Sequence, residues 1–347
     1  MRIVYQIPSI ETVYAARFIY EGYKNAFEEL GHQIIPFTGQ DSLQKILCDY
    51  NPDIFITSLN SYNFRYLDLN LMKDQRKTKG MVLFTQIRPW TCQCKQYGAG
   101  GLKDFPEDFS LIKKGLAGDV FFHWLEEDDP FMDGFEKETG YTYYKILLAA
   151  DTKRFYYEYD SAYAGDICFI GNYLPDKRDF FKAHLFPLLK KYKVNIYGND
   201  WTWGSQVVGY FQKLGQYFDI SSLKRIRKIV LPLEDERKVY ASSGISLNIH
   251  EKHQRKYGSD FNERTFKIIA SGGFELCDNV KVLRRYFTED ELVIAENTTD
   301  WFEKIRYYFV NPDKRASIIE AGRKVVLSSH TYVNRAEQFI ELYRNHH

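Results

Sequence analysis

Short apolar runs alternate with amphipathic stretches along most of the chain, and that alternation predicts the strand-helix units of a parallel sheet. Arg2–Ile7 reads as the first strand, followed by a helix from about Ser9 to Leu30 that stops at Gly31. Further strands are expected near Gln33–Phe37, Asp53–Thr57, Met81–Gln86, Val120–His123 and Tyr144–Leu148, with helices such as Ser42–Tyr50 and Phe131–Thr139 between them. Near Ala149–Asp166 the period is lost in a polar, tyrosine-rich stretch that reads as a linker. A second series then begins: strand Ile167–Ile170, helix Asp176–Lys191, strand Val194–Tyr197 ending at Gly198, helix Glu234–Ala241 and strand Ile245–Ile249. Leu292–Ala295 is the last expected strand, and helices Thr299–Val310, Pro312–Leu327 and Tyr332–Arg344 close the chain. The expected fold class is α/β, with two Rossmann-like, doubly wound parallel-sheet domains facing a central cleft. Residues 1–155 form the first domain, 165–328 the second, and 329–347 a helix packing back toward the first.

The most informative segment runs from Phe261 to Asp278. Asn262 suits an N-cap, Glu263 a first helical turn, and Thr265, Phe266, Ile268 and Ile269 give the helix an apolar side. Gly272 and Gly273 permit the left-handed turn that ends it, and Phe274–Cys277 is strand-like. A helix start carrying Arg264 is either a seat for a phosphate or diphosphate or a surface ion-pair partner. No Gly-x-Gly-x-x-Gly follows the first strand, where Pro8-Ser-Ile-Glu11 stands instead, which argues against a nicotinamide or flavin enzyme.

Composition narrows the classes. At 347 residues the chain is long enough for two domains. Lys plus Arg number 47 against 46 Asp plus Glu, so no whole-protein field favours nucleic acid or an anionic membrane. A peripheral membrane contact stays compatible with this balance. No signal peptide or membrane span is expected, because no apolar run approaches spanning length. The five cysteines (48, 92, 94, 168, 277) read as reduced thiols of a cytoplasmic protein. Cys92-Gln-Cys94 has too tight a spacing for a zinc knuckle and lacks a second pair, so no metal is expected there.

Asn262-Glu-Arg-Thr-Phe266 followed by Ala270-Ser-Gly-Gly273 resembles the nucleotide-sugar segment of the CgeB-like (spore maturation type) glycosyltransferases, which have the GT-B fold. The similarity runs on through Asp278, Tyr286-Phe287, Asn311-Pro312, Ala321-Gly322-Arg323, His330-Thr-Tyr332 and Arg335, and includes Phe169-Ile-Gly171 with Arg178. It covers about residues 145–345. The resemblance implies a transferase that moves a sugar from a nucleotide-diphosphate sugar, with the donor on the C-terminal domain and a carbohydrate, lipid-linked or protein acceptor on the N-terminal one. It implies no cofactor and no fixed metal.

On that footing Asn262, Glu263, Arg264 and Thr265 are the first candidates for the diphosphate, with Lys177 and Arg178 next. Gly198 ends a strand at the expected site. His250, at the end of a strand, either contacts a phosphate or the sugar or is a satisfied structural histidine. The family commonly places Glu where this chain has Lys267, and Lys cannot accept the ribose hydroxyls. Glu263, Asp278 and Glu275 are the nearest carboxylates able to replace it. The substitution keeps a non-catalytic binding protein as an alternative, and an epimerase of the same shape is another. Candidates for a general base are Glu11, His123 and Glu126, the last in a run of four carboxylates that otherwise reads as a solvated loop. Arg88-Pro-Trp90 offers stacking for an acceptor, and His330 reads as a packing residue.

Overall fold

A computed structural model describes residues 1–8, 10, 15–92, 100–218, 220–227 and 230–346. Glu11 and Cys94 lie outside these residues. The chain divides into two compact units, Met1–Leu148 with Tyr332–His347, and Ala149–Thr331.

The first unit is built on six parallel strands: β1 (Arg2–Gln6), β2 (Gln33–Phe37), β3 (Ile54–Ser58), β4 (Val82–Gln86), β5 (Val120–His123) and β6 (Tyr143–Lys145). Their spatial order is β2-β1-β3-β4-β5-β6. The central strands β3 and β4 are buried on both faces, so they read as continuous apolar runs, Ile-Phe-Ile-Thr and Val-Leu-Phe-Thr. Helices Ala15–Glu29, Leu43–Tyr50, Leu69–Lys79 and Pro106–Lys113 connect them. Ser42 and Asp68 cap the second and third through their side-chain oxygens, and Asn51 and Gly80 end them in the left-handed conformation.

The helix Tyr332–His346 completes this unit. Its Tyr332 ring lies where a Cβ on Gly22 would stand, so only glycine at position 22 admits it. Phe339 is fully buried and meets the rings of Tyr23, Phe27, Phe84 and Phe122. Arg335 Nε donates to Leu147 O at 3.1 Å in the interior.

The second unit holds five parallel strands, β7 (Gly165–Ile170), β8 (Val194–Tyr197), β9 (Ser243–Asn248), β10 (Glu275–Asp278) and β11 (Val293–Ala295), in the order β11-β10-β9-β7-β8. The chain leaves β7 for β8 on one side and returns to β9 on the other. Adjacent connections therefore part company at β7 and β9, and such a switch point opens a crevice at the carboxyl ends of those two strands. Ile167, Phe169, Ile245, Leu247 and Leu276 fill the core beneath it with Phe181, Leu185 and Trp301.

One expected helix takes another form, and one stretch holds elements that were not expected. The single helix anticipated over Asp176–Lys191 is instead a succession of tighter and wider turns, with a π turn over Phe181–Leu185. Pro187 lacks the amide that a regular helix would need at that point, and the wider turn takes up the mismatch. Between Gly198 and Glu234, where the sequence reading places no element, the structure holds helix Trp203–Tyr217 and the short turn Ser221–Lys224.

Truncating the ring at the heart of the closing helix should be costly. Phe339→Ala is expected to lower the unfolding free energy of the first unit by about 3–5 kcal/mol, the usual range for a buried Phe to Ala change. Urea titration of the variant against the parent protein measures it.

Candidate functional site

The sequence-selected residues of the second unit converge at its switch point. Gly171 follows β7, and Ile249-His250 follows β9. Helix Arg264–Ala270 brings its first turn to the same place, and β10 delivers Asp278 beside it.

Asn248, the last residue of β9, is the hub. Its Nδ2 donates to Thr265 Oγ1 at 3.0 Å and to Glu275 Oε1 at 2.8 Å. Its Oδ1 accepts from Asn262 Nδ2 at 3.1 Å and from Arg264 Nη1 at 2.9 Å. Thr265 Oγ1 also donates to Glu275 Oε1 at 3.0 Å. Asn262 Oδ1 takes the Arg264 amide at 3.1 Å, so this helix start is closed by a side chain two residues back. The regular helix begins at Arg264 with Glu263 flanking it, one residue later than the sequence implies for an Asn262 cap. The Arg264 guanidinium lies 5.7 Å from the Phe169 ring centroid and beside Gly171, where a Cβ would approach Nη2 to 3.2 Å.

Lys177 is buried and donates to Ile249 O at 2.9 Å. Burial, with repulsion from Arg264 second, lowers its pKa to about 8. Arg178 sits over the Tyr173 ring, and its buried Nε has no hydrogen-bond partner. Among the described residues, none of Lys177, Arg178 and Arg264 forms an ion pair.

His250 is completely buried. Its Nδ1 meets Asp278 Oδ1 at 2.6 Å, its amide donates to the same carboxylate at 3.1 Å, and its Nε2 is left without a partner. Arg255 Nη1 reaches Asp278 Oδ2 at 3.4 Å. Burial alone would push Asp278 up, but His250 and Arg255 outweigh it and hold the carboxyl below its ordinary value. Asp278 thus orients His250 and is engaged there.

The other two carboxylates considered for a ribose have different fates. Glu263 pairs with Lys267 at 3.2 Å, one turn along the same helix. Glu275 keeps one oxygen, Oε2, buried with no partner. Burial raises its pKa to about 7 against the hydrogen bonds from Asn248 and Thr265. Gly198 serves backbone packing: its φ is +138°, and a Cβ would run into Gly171 O. Trp201 Nε1 donates to that same carbonyl at 2.8 Å. His330 stacks on Phe266, with centroids 5.1 Å apart.

In the first unit, His123 is buried at the end of β5, and its Nδ1 accepts the Leu125 amide at 3.1 Å. That bond places the neutral ring's proton on Nε2. Glu126 pairs with Lys145 at 3.1 Å, and Asp129 takes the Phe131 amide at 2.8 Å. The acidic run is therefore only half solvated, since Glu126 and Asp129 are buried while Glu127 and Asp128 are exposed. Trp90 is a core residue, and Arg88 lies over the Phe105 ring. The hub role of Asn248 and the contribution of Arg255 carry no local sequence signal, because each depends on partners far along the chain.

Glu275 makes stability pH-dependent with a defined sign. Its folded pKa of about 7 exceeds the ordinary 4.5, so the folded state holds a proton that the unfolded state has released. Its contribution is complete below pH 4.5 and is lost as pH rises through 7. Glu275→Gln should remove that loss, worth about 3 kcal/mol for the unliganded protein. Paired melts of the two proteins at acidic and neutral pH measure it.

Residues 178–341 match the family model described as Glycosyl transferase-like. No curated protein matches the chain in sequence. Sucrose-phosphate synthase from Thermosynechococcus elongatus superposes with a TM-score of 0.63 at 10% identity, over 99% of this chain and 98% of that one. Anabaena Alr3699/HepE in complex with UDP and glucose gives 0.61 at 9% identity, over 99% of each chain. The alpha-glucosyltransferase AGT in complex with UDP gives 0.65 at 12% identity, over 99% of this chain and 100% of that one. The two parallel sheets thus have the GT-B architecture of these structures, and residues 178–341 are similar to the Glycosyl transferase-like family.

Proposed function

We infer that the protein transfers a sugar from a UDP-sugar whose diphosphate rests at the carboxyl ends of β7 and β9, against Arg264 and Lys177, with Arg178 and His250 alongside. One observation carries this reading. Three cationic side chains meet at the switch point without carboxylate partners among the described residues, and two buried nitrogens there, Arg178 Nε and His250 Nε2, lack hydrogen bonds. Buried donors of this kind suit hydrogen bonds to an anionic ligand. Uridine is the base of choice because UDP and UDP-glucose occupy structural neighbours.

Glycosyl transfer separates an oxocarbenium-like sugar from a departing diphosphate. Fixed cations aimed at the leaving group stabilise the charge that develops on it. Arg264, held on Asn248, and Lys177, held on Ile249 O, are preorganised for that task by neutral oxygens that leave their charge available. Because Asn262 already occupies the Arg264 amide, the side chains do this work in place of free helix amides. No metal or cofactor enters this reading. The acceptor, a carbohydrate, lipid-linked or protein hydroxyl, is assigned to the first unit, where His123 and Glu126 remain the described candidates for proton transfer. The motifs from Asn262 to Arg335 support placement beside the CgeB-like transferases.

The alternative is a binding protein without turnover. The observation behind it is Lys267, which stands where the family has its ribose carboxylate and neutralises Glu263. Incubating the purified protein with UDP-glucose and other UDP-sugars separates the readings. Released UDP supports a transferase, saturable affinity with intact donor supports the binder, and isomerised donor supports an epimerase.

Two measurements test the diphosphate assignment. Arg264→Ala should weaken UDP binding about tenfold to a hundredfold, the range for a charge-assisted hydrogen bond, with little change in melting temperature because Asn262 still satisfies Asn248. Unaltered affinity by calorimetry would refute it. UDP affinity should also fall as pH rises through about 8, where Lys177 gives up its proton, by up to about tenfold per pH unit. Lys177→Met should flatten that profile.

A further inference from the structure

Between β8 and β9 the second unit sends out helix Trp203–Tyr217 and the short turn Ser221–Lys224, which pack chiefly on each other. The longer helix is inside out. Its buried positions are Gly209, Gln212 and Gly215. The glycines are there for close approach, because a Cβ would collide with Arg227 at Gly209 and with Leu223 at Gly215. Its aromatic residues face the other way. Trp203, Tyr210 and Tyr217 recur every seven residues and are 81%, 61% and 79% exposed, with Phe211 and Phe218 beside them at 43% and 62%. Ile220, Ile226 and Val230 extend the apolar surface. Leaving such a stripe in water forgoes a large hydrophobic gain, and contiguous patches of this kind mark contact sites.

Charge identifies what covers it. Residues 200–230 contain five basic residues (Lys213, Lys224, Arg225, Arg227 and Lys228) against Asp200 and Asp219, a net +3 in a chain whose total is +1. Lys213 and Arg225 are exposed. A second copy of the chain would set Lys213 and Arg225 against the same cations, which disfavours a self-complementary contact. An anionic surface would meet both features at once. Trp and Tyr are also the side chains that settle at the boundary between lipid headgroups and acyl chains. A helix with an aromatic face and flanking Lys and Arg is the pattern of one that lies in that boundary. No helix among the described residues is long and apolar enough to cross a membrane, so the contact is a surface one.

We propose that this helical hairpin docks the protein on an anionic lipid surface, with Trp203, Tyr210 and Tyr217 inserted at headgroup depth and Lys213 and Arg225 against lipid phosphates. The hairpin is rooted at the donor crevice. Trp201 bonds to Gly171 O and packs on Phe169 and Phe181, and Asp200 pairs with Arg227. The proposal stands independently of the sugar nucleotide used.

Co-sedimentation with phosphatidylcholine vesicles, with and without phosphatidylglycerol, tests it. The chain should pellet with the phosphatidylglycerol vesicles and be released by high salt. The pair Lys213→Glu and Arg225→Glu should lower vesicle affinity about fivefold or more for each position. Replacing Trp203, Tyr210 and Tyr217 together by Ser should abolish pelleting. Melting temperature and UDP affinity act as folding controls, and if the aromatic variant fails to fold the charge-reversal pair decides alone. Absence of pelleting, equal binding to neutral vesicles, or charge-reversed variants that bind as well as the parent would overturn the proposal. So would light scattering that shows a dimer split by the aromatic substitutions.

Discussion

The carboxamide of Asn248 governs the geometry of the switch point. An amide offers two donors and two acceptor lone pairs, and here all four are used: two bonds out to Thr265 and Glu275, two in from Asn262 and Arg264. Because every valence is filled, the group has one orientation, and four residues from one helix, the loop before it and β10 are fixed relative to β9. Arg264 gains a rigid mount without losing its charge, since its anchor is neutral. The neighbouring Asp278 does the same for His250, holding one ring nitrogen while the other stays open.

Burial then tunes the cluster. Desolvation draws both Glu275 and Lys177 toward their uncharged forms near neutral pH. Near pH 7 Lys177 therefore remains mostly protonated while Glu275 sits close to its midpoint. Lys267 shows the opposite outcome. It is equally buried, yet Glu263 and Glu236 overcome the cost and raise its pKa, which makes it one half of a closed pair. Two lysines in one unit thus divide between an available cation and a structural one according to the carboxylates around them.

Much of this architecture was legible from local pattern. The stretch from Arg264 through Gly272 to β10 has strong punctuation at each junction, and the parallel strands announce themselves as short apolar runs. The switch point follows once strand order is known, and strand order is not written in any window of sequence. The register that sets Cys277 opposite Asn248, and hence Glu275 within reach of its amide, joins residues far apart in the chain. The hairpin escaped reading for a different reason. Its helix contains Gly204, Gly209 and Gly215, poor formers in a helix interior, and its apolar stripe faces outward, so the usual inference from stripe to core points the wrong way. Pro187 similarly marks a disturbance in sequence without revealing that the chain absorbs it through a wider turn.

The return of Tyr332–His346 to the first unit has a bearing on biogenesis. Synthesis delivers all of Ala149–Thr331 before the element that covers Phe84 and Phe122 has been made. The later half of the chain can mature while the earlier half stays open, inverting the usual order in which amino-terminal modules finish first. A nascent chain consequently lacks the ring contacts that Phe339 makes with Phe84 and Phe122 until Tyr332–His346 has been synthesised.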